Sequence, residues 1–179
     1  CFVGDPAGVR SPSFRYEEFV TLDKMDRAKG PLNENHPAYC EVYNNLICNI
    51  GLFEKQITGV ELSMCRNITI SHNSIYDTPR AGINISEGTW GGHIIEHNDI
   101  FNTVKETGDH GSINSWGRDR FWHPDYNIMA QIVCEHPALI LADIVNPIII
   151  RHNRLRCDRG WDIDLDDGSS NYQIYDNLC

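Results

Sequence analysis

Residues 161–168 read Trp-Asp-Ile-Asp-Leu-Asp-Asp-Gly. A period of two places Ile163 and Leu165 on one face of a strand and Asp162, Asp164 and Asp166 on the other. Successive carboxylates on that outer face lie ~6.5–7 Å apart and repel one another. Such crowding suits a cation or a reacting substrate. The bland alternative is a solvated acidic strand that ends in an Asp-Gly turn shaped by Asp167. A second cluster is Glu106-Thr-Gly-Asp-His-Gly-Ser-Ile-Asn-Ser-Trp116, where Gly108 and Gly111 bracket Asp109 and His110. The glycines permit a sharp turn that displays a carboxylate and an imidazole at its corner. Paired carboxylates hydrolyse glycosidic bonds, one acting as acid and the other as nucleophile or base. The acid needs a raised pKa, which a crowded acidic site supplies by like-charge repulsion. Asp109, Asp164 and Asp166 are therefore the candidate catalytic residues.

An aromatic and basic surround accompanies these acids: Trp90, Trp116, Trp122, Tyr126 and Trp161, with Arg80, Arg118 and Arg120. Flat aromatic faces suit the apolar faces of sugar rings, and arginine forks suit hydroxyls or a uronate carboxylate. The candidate substrate-binding set is Arg80, His110, Trp116, Arg118, Arg120, Trp122 and Trp161.

The elements that position these residues are legible as a repeat. An aliphatic residue, two polar residues, Asn, any residue and an apolar residue recur, with the asparagines at 45, 73, 98, 153 and 177. The period is near 25 residues with one gap about twice as long, the pattern of a solenoid carrying one large insertion. Around each Asn the apolar residues alternate, as Ile68 and Ile70 do, which predicts short strands. Equivalent residues on stacked strands stand ~4.8 Å apart. A column of asparagines at that spacing can bond to itself, so these five are expected to be scaffold. Two registers relate the acids. Asp109 and Asp164 each lie eleven residues after a repeat Asn, which makes them neighbours on adjacent turns. Aligning the apolar pairs instead puts Asn84, Asn114 and Asp164 in one row.

Residues 1–37 lack the repeat and read as an irregular flank or the remnant of a preceding coil, with a short helix or irregular path over 17–25. Residues 38–179 form the repeat domain, with the insertion at about 117–140, and no helix-period stripe stands out after residue 36. The chain starts at Cys1 and stops inside a copy of the repeat at Cys179, which suggests a piece of a longer helix.

The segments Asn67–Ile75, Gly82–Ile85 and Gly160–Gly168 resemble the right-handed parallel β-helix of the pectate-lyase-like superfamily, over about residues 38–179. The Gly-Asp-His-Gly segment, the following Asn-Ser-Trp-Gly-Arg-Asp-Arg-Phe-Trp and the Asp-Leu-Asp-Asp-Gly strand are similar to β-helix glycoside hydrolases of the fucosidase/xylanase-like group. The resemblance implies an all-β solenoid that acts on plant or algal polysaccharide and is secreted, periplasmic or on the cell surface, with no required cofactor. A second reading is a polysaccharide lyase. There Asp162, Asp164 and Asp166 would hold calcium through oxygen ligands, and Arg118 would take the C5 proton of a uronate. A third is a glycan-binding module without catalysis.

The 179 residues carry a net charge of −10, which disfavours non-specific nucleic-acid binding. No run of about 18 apolar residues marks a membrane span. The seven cysteines form no CxxC pair, so zinc-ligand spacing is absent. Cys48, Cys157 and Cys179 follow repeat asparagines closely and are expected as small buried thiols.

Overall fold

The structure is a computed structural model and describes residues 1–11, 18–86 and 90–179. Fourteen strands occur among them. They are β1 (Phe2–Val3), β2 (Glu41–Tyr43), β3 (Leu46–Cys48), β4 (Val60–Ser63), β5 (Thr69–Ser71), β6 (Ser74–Tyr76) and β7 (Ile83–Ile85). Then follow β8 (Ile94–Glu96), β9 (Asp99–Phe101), β10 (Gly111–Trp116), β11 (Ile148–Arg151), β12 (Arg154–Arg156), β13 (Trp161–Asp166) and β14 (Tyr172–Tyr175). They make three sheets, ordered β1-β4-β7-β10-β13, β14-β11-β8-β5-β2 and β12-β9-β6-β3. Every pairing between them is parallel. The chain visits the three sheets in a fixed rotation, one strand in each per circuit, an arrangement compatible with a parallel β-helix.

The repeat phrase is the corner between the second and third sheets. The residue before each repeat Asn takes a left-handed backbone: Asn44, His72, His97, His152 and Asp176 have φ between 53° and 59°. Asn, Asp and His are the non-glycine types that tolerate this region best, which explains the identity of that position. The Asn that follows turns inward and forms a ladder. Asn98 donates its backbone N–H and its Nδ2 to Asn153 Oδ1, both at 3.0 Å, and Nδ2 also donates to the Ile70 carbonyl at 2.9 Å. Asn98 Oδ1 accepts in the same way from Asn73. The steps from Asn45 to Asn73 and from Asn153 to Asn177 repeat this geometry. Replacing Asn98, which is 2% exposed, with Ala leaves the buried Asn73 backbone N–H without an acceptor, and removes the donors to Asn153 Oδ1 and the Ile70 carbonyl. Urea unfolding should report a loss of about 3 kcal/mol, the sum of a few net hydrogen bonds and the orphaned groups.

Inside the three sheets, alternate residues stack into one apolar column. Ile70 and Ile95 are direct partners, as are Ile95 and Ile150. Ile75 pairs with Ile100, and Ile83 with Ile113. All of these are fully buried, each contributing about 1.5–3 kcal/mol of transfer free energy. The second small core lies under the insertion and joins Met25, Phe121, Ile132, Leu139 and Ala142.

Several expectations need correction. A helix, α1 (Tyr126–Glu135), occupies the insertion, capped by Asp125, whose carboxylate accepts from the Asn127 and Ile128 amides. Its apolar residues Ile128, Met129, Ile132 and Val133 have helical spacing, and Ile132, Met129 and Val133 reach the second core. The insertion also runs further than expected, through a 3-10 turn over Pro137–Leu141, and the sheet resumes at β11. The flank at 17–25 starts at Glu17, outside the described residues; from Glu18 to Met25 the path is irregular. No correction is needed for the first residues, read as an irregular flank or the remnant of a preceding coil: Phe2 and Val3 pair with Leu62 and Ser63 of the first sheet. Cys48, Cys157 and Cys179 are not core thiols. On β3 the alternation turns Ile47 inward and Cys48 outward beside Tyr76, while Cys179 is exposed. The buried thiol is Cys65, whose pKa burial pushes up to about 12. None of the seven cysteines, all of them among the described residues, is in a disulfide. Among the described residues no helix is long and apolar enough to cross a membrane.

Candidate functional site

The outer face of the first sheet carries one polar row across four strands. Glu61 of β4 pairs with Asn84 of β7, Asn84 with Asn114 of β10, and Asn114 with Asp164 of β13. The flanking residues Val60, Ile83, Ile113 and Ile163 point into the core, so alternation forces all four polar side chains outward. The alignment on apolar pairs is therefore the register of the sheet. The equal-offset alignment of Asp109 with Asp164 is not, because the connection from Phe101 to Gly111 is longer than that from Arg156 to Trp161. Asp109 reaches the site from the loop before β10, in a left-handed conformation with φ 58°.

The row is bonded along its length. Asn114 Nδ2 donates to Asn84 Oδ1 at 3.0 Å, and Asn84 Nδ2 lies 3.0 Å from both Glu61 carboxylate oxygens. Glu61 also accepts from Thr58 Oγ1 at 3.2 Å and from Ser86 Oγ. Asn84 and Asn114 are buried. At the far end Asp164 is half-buried, with the exposed carboxylate of Asp166 next along the strand. Burial, and then the charges of Asp166 and Asp109, push the Asp164 carboxyl up to about 6. Asp167 is shifted upward as well, first by burial and then by Asp166, against the pull of Arg118.

Two adjoining cavities lie on this face. One of about 250 Å³ is lined by Asp109, His110, Asn114, Asp166 and Asp167, together with Arg80, Trp116 and Arg118. The other, of about 370 Å³, includes Thr58, Glu61, Asn84 and Ser86 and shares Arg80 and Trp116 with the first. His110 is held between two neighbours. Arg80 Nε donates to its Nε2 at 3.2 Å, and Thr107 Oγ1 lies 2.9 Å from its Nδ1. Burial and Arg80 lower its pKa, and because Nε2 accepts from Arg80, the ring proton sits on Nδ1, facing Thr107. The Arg118 guanidinium sits 4.7 Å from the Trp116 ring centroid and 5.6 Å from that of Trp122, with Asp167 Oδ2 at 3.6 Å from Nη2.

The structure thus gathers Asp109, Asp164, Asp166, Arg80, His110, Trp116 and Arg118 on one face. Three expected ligand-binding residues lie elsewhere. Arg120 is 2% exposed and is committed to the protein: Nε bonds Asp143 at 2.8 Å, and the Nη groups donate to the carbonyls of Asp26, Ala28 and Ala142 at 2.6 Å each. Trp122 is buried against Gly168 and backs Arg118 instead of facing the cavities. Trp161 is half-exposed at the start of β13, an edge strand with one neighbour. Asp162 does not join the acids of its strand, because its Oδ1 accepts from the Cys157 amide at 2.7 Å. Among the described residues no three His, Cys, Asp or Glu side chains converge in a way that could hold a metal ion. Glu61 and Thr107 escaped the sequence reading. The signal for Glu61 was Val60-Glu61-Leu62, which has the same alternation as Ile83-Asn84-Ile85; Thr107 gave none.

Compared with known protein families, with curated proteins and with solved structures, the chain matches none.

Proposed function

We propose that the chain is a right-handed parallel β-helix whose polar face is the active site of a glycoside hydrolase acting on plant or algal polysaccharide. The observation that carries this reading is Asp164, a half-buried carboxyl raised to about 6 by burial and by Asp166 and Asp109, the two acids that line the open polar groove beside it. A carboxyl with that pKa is protonated often enough near neutrality to protonate a leaving glycosidic oxygen. Asp166 follows two residues later on the same strand, ~6.6 Å away by parallel-strand rise. That spacing falls at the lower end of the range for inverting enzymes, in which the second carboxylate activates water. Asp164 is then the acid and Asp166 the base, while Asp109 raises the pKa of the acid from the loop. Arg80, neutral His110, Trp116 and Arg118 would orient the sugars. Such a substrate would call for export of the protein.

The test is digestion of a polysaccharide panel by the full chain, with and without EDTA, followed by NMR of the first product anomer. New reducing ends with the inverted anomer, indifferent to EDTA, are expected. An unsaturated product that EDTA abolishes would replace hydrolysis by calcium-dependent elimination. Binding without any product would leave a glycan-binding module.

A further inference from the structure

Arg80 is the cation that the groove leaves unanswered. Among the described residues the one hydrogen bond of its guanidinium is from Nε to His110, and no carboxylate comes within ion-pair distance of it. Its guanidinium is partly desolvated, which lowers its pKa. Charges withdrawn from water are ordinarily paired. The nearest candidate partner by field is Glu61, but Asn84, Ser86 and Thr58 already engage that carboxylate. The neutral His110 ring fixes the arginine through Nε and leaves both Nη groups as a planar fork. Arg80 lines both cavities, and so does Trp116. The Trp116 indole N–H is buried and has no acceptor among the described residues. Two unmatched donors in one wall call for a ligand rich in acceptors.

The surroundings limit how much negative charge that ligand can bring. Asp109, Asp166 and Asp167 line one cavity and Glu61 the other, in a chain of net charge −10. A densely charged polymer would meet a carboxylate at each further acid group.

We propose that Arg80, with the Trp116 indole N–H in the same wall, binds a single carboxylate or sulfate group carried on an otherwise neutral glycan, where the two cavities join. The assignment rests on the glycan reading of the groove and names the substrate class. The experiment is calorimetric titration of the full chain with four oligosaccharide probes of one backbone. They are undecorated, bearing one glucuronate branch, bearing that branch as its methyl ester, and bearing one sulfate. The wild type should bind the glucuronate or the sulfate probe about tenfold or more tightly than the undecorated and esterified probes, as a charge-assisted fork requires. Whichever acid is preferred identifies the group. Arg80→Gln should erase the preference, and Arg80→Lys should restore part of it, since a point charge remains without the fork. Equal binding of all four probes, no binding of any, or a preference that survives in Arg80→Gln would overturn the assignment. The ester comparison is made on the wild type, so it stands even if the variants fold poorly. Binding with this preference but without cleavage would refute the hydrolase and leave the anion site in place.

Discussion

Asp164→Asn is expected to lower the hydrolysis rate by about 10²–10⁴-fold, the usual worth of a positioned general acid. The amide keeps the shape and the bond-accepting oxygen but has no proton to give. In the wild type, activity should fall as pH rises through about 6, because the competent form is the protonated one. At pH 7 about a tenth of the molecules remain protonated, and each further unit costs about another factor of ten. The variant should retain no such limb. Stability should move in the same direction. A carboxyl raised in the folded state favours folding below its unfolded pKa, and that advantage is lost as pH rises through the folded value. Wild type should therefore lose stability between about pH 4 and pH 7 relative to Asp164→Asn. Thermal melts of both proteins at pH 4.5 and pH 8 check this. A variant that stays active, or one that melts lower than wild type at pH 8, would remove Asp164 from the acid role.

Arg120→Ala should cost about 3–5 kcal/mol of folding stability, the penalty for breaking a buried ion pair from one side. Arg120 and Asp143 are both almost fully enclosed, and three carbonyls also lose their donor. The damage is compounded by Asp119. That carboxyl is fully buried with Ser170 Oγ as a donor at 2.7 Å, and burial and Asp143 push its pKa well upward. Removing the cation leaves two acids facing each other in a dry interior. The double variant Arg120→Met with Asp143→Leu should recover part of the loss, because the carboxylate that faced Arg120 goes with it, while Asp119 and the three carbonyls remain. Guanidinium unfolding of the three proteins measures both steps. A single variant within about 0.5 kcal/mol of wild type would show that the insertion does not depend on this pair.

The scaffold was legible because its rules are local. Asn at 73, 98 and 153 and left-handed-tolerant residues before them announce the corner, and alternation such as Ile68 and Ile70 announces the strands. The row from Asn84 through Asn114 to Asp164 followed once apolar pairs were aligned. What sequence could not supply was depth. Arg118 and Arg120 stand two residues apart among the same aromatics, yet one lines a cavity and the other is sealed beneath the insertion. Only the fold of residues 117–147 over Met25 and Asp26 separates them. Glu61 was silent because a lone acid on a strand is ordinary until its partner, Asn84, is known. The helix over 126–135 was different: Asp125 as cap and apolar residues at helical spacing were visible, but short strands on both sides masked them.

The asparagine ladder makes the insertion an interchangeable cassette. The step from Asn98 to Asn153 spans 55 residues, against 24 to 28 for the others, yet its two bonds are 3.0 Å long where those of the other steps are 2.9 or 3.0 Å. The stack thus closes at the same pitch whatever chain lies between two rungs. A different excursion could leave after Trp116 and return at Ile148 without shifting one rung of the frame. In evolution or by design, the rim of the groove can be rewritten separately from the column that supports it.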